Sequence, residues 1–412
     1  RTARSNPSSG AGFHFPNRTA RAIFLNSVDA SLLIVGAGPA GLLAAWTAAR
    51  RRLPGGVLVL DRMPRAGVKL AVTGGGRGNL SHLAGEEEFA AAFGRQGRFA
   101  IPAFRSLSPD DLRTRLAEAG VPTAVDPDGR LYPRSQSAAQ VRDALFAACT
   151  REGVRFVFSR DVKALRPPRA ESDFWQVDSF SARSVLLAAG GRSAPRLGSD
   201  GSGFAHAQSL GYEIVAPAPA LSSLRTVESW PALHSGASLP DVRIAIATER
   251  GRAVAEQGEL LFTHRGISGP AALNLSGRVA RRLLDAPNVR LHLSLIQEKP
   301  DFRRLRQTDG FRTLHAWLSR LLPRALAGTI LELAEIPANL TFSRLATDHE
   351  ETLLRHLVAL PLTIRDTGGF EESMVTSGGV SLKQVRPDTL EGRLTPRLHF
   401  AGEILDLDGP TG

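Results

Sequence analysis

The sequence predicts an α/β fold: a Rossmann-like domain with a second domain inserted into it. Three observations carry this. Residues 31–61 read as strand, glycine turn, helix, strand, acid. A largely apolar run at 184–189 closes on the glycine pair Gly190-Gly191. Between about 212 and 363 the pattern changes to short β segments around helices, and residues 398–403 then return to a short strand ending in a glycine turn.

The first unit fixes the rest. Residues 32–35 are an apolar strand that runs into Gly36-x-Gly38-x-x-Gly41, and Pro39 and Ala40 open an alanine-rich helix. Residues 57–60 form the next strand and end on Asp61, 20 residues after Gly41. Each residue type has a reason in a dinucleotide site. Gly36 allows the tight turn, Gly38 lets the backbone approach a pyrophosphate, and Gly41 lets helix and strand pack closely. The phosphates sit on amides at the helix start. A carboxylate at Asp61 can accept from ribose hydroxyls. The three glycines, Pro39 and the basic run Arg50 to Arg52 argue against a membrane span over this apolar stretch.

Composition narrows the class. A chain of 412 residues with 42% hydrophobic and 22% charged residues reads as a globular protein of two or three domains. Cys149 is the only cysteine, which excludes an internal disulfide and any cysteine-built metal or iron–sulfur site. No metal site is expected, and a cytoplasmic setting fits. The net charge of +11 comes from 47 arginines and only four lysines, with no run of five basic residues. That spread reads as a solvated surface, so neither nucleic acid nor membrane is the expected partner. Residues 1–28, basic and acid-free, read as a disordered extension.

Taken in order, residues 29–208 read as the first part of the nucleotide domain. The loop after Asp61 and Arg62 carries Lys69, then Gly74, Gly75, Gly76, Arg77, Gly78 and Asn79. Glycines this dense let backbone run against a flat or charged ligand. Lys69 and Arg77 can meet phosphate, and Asn79 can bond a carbonyl or ring nitrogen. Residues 86–120 predict two helical pieces broken at Pro102 and Pro109. Asp128-Gly129 predicts a turn, residues 130–133 a strand, and Ser135 or Ser137 a helix cap. Residues 154–158, 162–165 and 174–177 predict a small antiparallel unit. Residues 209–365 read as the inserted substrate or cap domain, with helices at 270–284, 302–322 and 325–332. Residues 366–412 read as the returning part of the nucleotide domain, expected to be truncated. There Gly402 allows close approach, and Glu403 can bond the ligand's polyol or pyrophosphate end. No second strand–GxGxxG–helix unit is present, so a dedicated NAD(P) domain is absent.

Seven stretches together resemble the aminoacetone-oxidase-family FAD-binding enzymes, which include bile-acid enone reductases of the BaiN/RdsA type. They are VGAGPAGLLAA, GVKLAVTGGGRGNLSH, DGRLYPRSQSAAQVRDAL, LLAAGGRSAPRLGSDGSGFAHAQSLGYEI, GELLFTHRGISGPAALNLS, VTSGGV and FAGEILDLDGPTG. The resemblance spans residues 31–412 and implies FAD as the dinucleotide, with the inserted domain part barrel-like and part helical. It implies an adenosine end at Gly36, Gly38, Pro39, Ala40, Gly41, Asp61 and Arg62. It implies a flavin-side loop at Lys69, Gly75, Gly76, Arg77 and Asn79, and further FAD-lining positions at Val162, Ala189, Gly190, Gly402 and Glu403. Val68 and Gly78 depart from it, standing where the family usually has Arg and Cys.

The expected activity is hydride transfer through flavin N5. The leading reading is NAD(P)H-dependent reduction of a C=C bond conjugated to a carbonyl in a small organic substrate, NAD(P)H being a transient donor. The alternatives are an amine oxidase of the aminoacetone kind, a nucleic-acid-associated flavoprotein and a truncated FAD-binding protein without turnover. Candidate catalytic residues are His264, Arg77 and Tyr132, with Arg265 and Ser268 beside them. His264 suits proton transfer, Arg77 and Arg265 can fix an acidic group, and the Tyr132 hydroxyl can meet a carbonyl.

Overall fold

The computed structural model describes residues 28–170, 173–247 and 254–410. Residues 1–27 of the expected extension and the chain end at Gly412 lie outside them. The fold is α/β, a Rossmann-like sheet with helices joined to a closed six-stranded barrel.

The sheet grows from β1 (Ala30–Val35), which leads through α1 (Pro39–Ala49) to β2 (Val57–Leu60). All four residues of β2 are buried, as expected of a parallel strand covered on both faces. Helix α2 (Ala138–Arg151) then delivers β3 (Arg155–Val157) parallel to β2, with Val59 opposite Phe156. Strand β3 was expected in the antiparallel unit. It joins the parallel sheet instead, because α2 supplies the helical crossover that parallel pairing needs. The expected antiparallel pairing is present in β4 (Leu165–Arg166), β5 (Trp175–Val177) and β6 (Phe180–Leu187). Strand β6 changes partners along its length. Its first half pairs antiparallel with β5, and its second half runs parallel to β1, with Leu186 opposite Ile34.

Residues 86–118 form three helices, not two: Glu86–Ala92, Gly97–Ser106 and Pro109–Glu118. The break falls at Gly94, whose φ is +57°, and Pro102 sits inside the middle helix. Phe104 of that helix packs on Phe89 with ring centroids 4.8 Å apart, so tertiary contact holds the helix across its missing N–H. Pro109 opens the third helix, where Ser108 and Asp111 form a capping box. Ser137, not Ser135, caps α2.

From the sheet the chain leaves along β7 (Ile214–Ala220) into a closed barrel. Its strands are β8 (Leu224–Thr226), β9 (Ser238–Ile246), β10 (Ala255–Thr263), β11 (Gly266–Ser268), β12 (Val289–Ser294) and β13 (Leu360–Thr367). The order β8–β11–β10–β9–β12–β13 closes where Leu224 pairs with Thr367. Helix α3 (Pro270–Leu283) buries Ala271, Ala272, Leu275 and Val279 in the barrel core. The expected helix over 302–322 is two pieces, Phe302–Thr308 and Leu314–Leu318, with Thr313 capping the second. Gly310 between them is the breaker. The chain returns on β14 (Val375–Val380), antiparallel to β7, and ends in β15 (Leu398–Phe400), which lies parallel to β6. Strand β15 therefore brings Gly402 and Glu403 to the same sheet edge as Gly36. Among the described residues, no helix is long and apolar enough to cross a membrane.

Candidate functional site

The cleft opens at the carboxyl ends of β1, β2, β6 and β15, where ligands bind in open α/β sheets. Twelve of the residues singled out from sequence line it: Gly36, Gly38, Pro39, Ala40, Asp61, Arg62, Lys69, Val162, Ala189, Gly190, Gly402 and Glu403. Gly41 does not. It lies within α1 on the face packed against the turn, where a Cβ would sit 1.9 Å from the Gly36 carbonyl oxygen.

The glycine-rich loop is an ordered 3-10 segment, Leu70–Gly76, kinked at Thr73, Gly74 and Gly75. Thr73 lines the cleft, but Gly75, Gly76, Arg77 and Asn79 fall beyond the lining. Arg77 instead lies over the Tyr132 ring, 4.8 Å from its centroid, and donates to the Tyr132 hydroxyl at 3.3 Å. Tyr132 itself is buried in a short antiparallel strand, Arg130–Pro133. His264 is exposed on the turn between β10 and β11, away from the cleft lining. Its neighbour Arg265 is exposed too and faces Glu372 at 3.7 Å, while Ser268 ends β11. Cys149 is fully buried in the core, where desolvation pushes its thiol up to about 12.

Charge in the cleft is held by fixed partners. Asp61 accepts from the Ala37 amide at 2.5 Å and from the Met63 amide at 2.7 Å. Burial raises its pKa above the ordinary carboxylate value, and these two amides offset part of that rise. Lys69 and Glu403 form an ion pair at 2.8 Å, and the other Glu403 oxygen accepts from the Thr376 amide at 2.7 Å. The Thr376 hydroxyl in turn accepts from the amides of Arg192 and Ser193 at 2.8 and 3.0 Å. Glu403 is thus fixed by a buried polar network running from β14 to the loop after β6.

Sequence reasoning passed over Arg65, Arg160, Ser199, His206 and Met374, all of which line the cleft. Met374 directly precedes the VTSGGV stretch, so its position was legible although its role was not. The His206 ring nitrogen bonds the Val162 carbonyl at 3.1 Å, a contact with no sequence signal.

The residues present fit an adenine dinucleotide. No side chain caps α1, and its first turn holds no acid, so the amides of Ala40 and Gly41 remain for an anion. Chain packing explains two of the three fingerprint glycines. A Cβ at Gly36 would meet the Ala188 carbonyl oxygen at 2.4 Å, and one at Gly41 would meet Gly36. A Cβ at Gly38 would meet nothing within 4 Å of the protein. Its absence leaves open the space beside the helix start that a pyrophosphate would fill.

This fold and cleft define a flavoprotein of the Rossmann class, with FAD as its dinucleotide. Residues 30–412 match the family model described as HI0933-like protein Rossmann domain, and the chain belongs to that family of FAD-dependent oxidoreductases. It is 31% identical over 387 residues to the 3-dehydro-bile acid delta(4,6)-reductase of Clostridium scindens, covering 92% of this chain and 93% of that one. It is 28% identical over 396 residues to the ribosomal RNA dihydrouridine synthase of Haemophilus influenzae, covering 92% and 93%. Among solved structures, the 3-ketosteroid-delta4-(5alpha)-dehydrogenase of Rhodococcus jostii RHA1 aligns over 95% of this chain and 94% of that one, at 16% identity and a TM-score of 0.44.

Proposed function

We propose that the protein reduces a C=C bond conjugated to a carbonyl in a small organic substrate, taking its electrons from NAD(P)H. The observation that carries this reading is the 31% identity, along nearly the whole of both chains, to a reductase whose name places a carbonyl at position 3 and double bonds at 4 and 6. The lack of a second GxGxxG unit is consistent with a nicotinamide donor that visits rather than resides. When bound, FAD supplies hydride transfer at N5. The chain's own part is positioning. The amides of Ala40 and Gly41 and the space beside Gly38 would hold the pyrophosphate, and Asp61 would bond ribose hydroxyls. Lys69 and Glu403 would orient the polyol end. Arg77, Tyr132 and His264 stand outside the cleft lining and are assigned no step.

A second reading has one observation in its favour. Dihydrouridine is uridine with its carbonyl-conjugated C=C bond saturated, and a relative named for making it in ribosomal RNA covers 92% of this chain. The substrate would then be a uracil in RNA.

The deciding experiment is anaerobic reduction of the yellow protein by NADPH and NADH. Reoxidation is then followed with a 3-keto-4-ene steroid, with uridine-containing RNA and with neither. Reoxidation by the enone is the expected result. Reoxidation by RNA alone would transfer the proposal to the second reading. Bleaching by aminoacetone, and by neither nicotinamide, would replace both with an oxidase.

A further inference from the structure

Three stretches of the cleft lining are tied together by one side chain that is not itself in the lining. The stretches are residues 188–190 after β6, Met374 and Val375 at the entry to β14, and residues 401–403 after β15. The side chain is that of Thr376, buried one residue further along β14.

A threonine hydroxyl has two lone pairs and one proton, and here all three are committed. The lone pairs take the Arg192 amide at 2.8 Å and the Ser193 amide at 3.0 Å. With both filled, the proton goes to the Ser193 hydroxyl oxygen, 3.0 Å away, which also accepts from Ser373 at 2.7 Å. Ser193 and Ser373 are buried too, so these bonds are made out of contact with solvent. The Thr376 backbone amide holds a different stretch, donating to Glu403 Oε1 at 2.7 Å.

Steric fit says the same independently. A Cβ at Gly191 would lie 2.4 Å from Thr376 Oγ1 and 3.0 Å from Glu403 Oε1, so the loop after β6 closes on both groups with no room for a side chain. Without the Thr376 hydroxyl, two buried amides would lose their acceptor, and buried donors are costly to leave unpaired. The loop would then shift to find other partners and carry Ala189 and Gly190 with it. We propose that Thr376 is a positioning residue for FAD: its hydroxyl fixes the 188–190 wall of the cleft against Glu403, so that wall and carboxylate reach the cofactor at a set separation. The proposal rests on the contact of Glu403 with the FAD polyol and holds whichever substrate the flavin reduces.

The test is a double-mutant cycle on FAD affinity. The FAD-loaded full chain is diluted, and recovery of flavin fluorescence gives Kd. Thr376→Val keeps the shape and removes the hydroxyl, and it is expected to raise Kd roughly tenfold or more. Thr376→Ser restores the hydroxyl and is expected to bind FAD as the wild type does. Glu403→Ala is expected to raise Kd, and Thr376→Val/Glu403→Ala to raise it by less than the product of the two single changes, because one acts through the other. A merely structural role for Thr376 predicts independent losses, so a double variant that shows the full product would overturn the proposal. Thr376→Ser as weak as Thr376→Val would overturn it too. Wild-type Kd in Thr376→Val beside a weakened Glu403→Ala would overturn this proposal alone, whereas wild-type Kd in Glu403→Ala would refute the polyol contact and the proposal with it. If Thr376→Val does not fold, Ser193→Ala runs the same cycle, since it removes the acceptor of the Thr376 proton and leaves both amides bonded.

Discussion

At the scale of single residues, Asp61 makes the most definite forecast. Its carboxylate is anchored by the Ala37 and Met63 amides at the lip of the cleft, so it is held in place before any ligand arrives. Asp61→Ala should fold and lose FAD, read as a lower flavin-to-protein absorbance ratio after desalting. Full flavin retention would refute the ribose role. Burial also ties Asp61 to pH. Its folded-state pKa lies above 3.8, so the folded chain takes up the proton before the unfolded chain does. The ionised group therefore costs stability at neutral pH, and the cost shrinks as pH falls from the raised value towards 3.8. In the FAD-free protein, the melting-temperature difference between wild type and Asp61→Asn should shift in favour of the wild type across that window. Asp61 could be picked out from sequence because its spacing from Gly41 is local. Arg77 over Tyr132 could not, because 55 residues separate them and only the fold brings them together.

At the scale of elements, the turn into α1 separates the needs of the fold from the needs of the ligand. Gly38 has φ −73° and open space where a Cβ would stand, so Gly38→Ala should keep the wild-type melting temperature while losing FAD affinity. Gly41→Ala drives a methyl into the Gly36 carbonyl and should cost about 1–3 kcal/mol of stability, read as a lower melting temperature. If both variants lost stability equally, the open space at Gly38 would have no ligand meaning. This element was legible because glycine spacing, apolar strands and acid all lie within 31 residues. The elements misread from sequence share one cause. Residues 154–158 looked like any short apolar strand, and nothing in their periodicity says whether a partner is parallel. Pro102 looked like a breaker because the Phe89–Phe104 contact that holds its helix is tertiary.

At the scale of the molecule, sheet and barrel keep separate cores, and closure of the barrel was not readable because β8 and β13 meet across some 140 residues. Among the features that join the cores are the β7–β14 ribbon and one guanidinium. Arg281, near the end of barrel helix α3, donates to the Ser377 hydroxyl at 2.8 Å and to Asp406 at 2.9 Å. The second Asp406 oxygen accepts from Gln96 at 2.9 Å, and Ser377 donates to Asp408, whose pKa is raised by burial. One side chain thus ties the insertion to the strand and loop that carry Met374 and Glu403 into the cleft. Bonds to charged groups contribute about 1.5–3 kcal/mol when buried, and about a third of the Arg281 side chain is exposed, so the low end applies. Arg281→Ala should therefore lower stability by about 1–2 kcal/mol. More tellingly, it should split calorimetric unfolding into a barrel transition and a sheet transition, with FAD raising only the second, since ligand stabilises the unit that binds it. A single transition at the wild-type midpoint would mean that the cores stay coupled without Arg281.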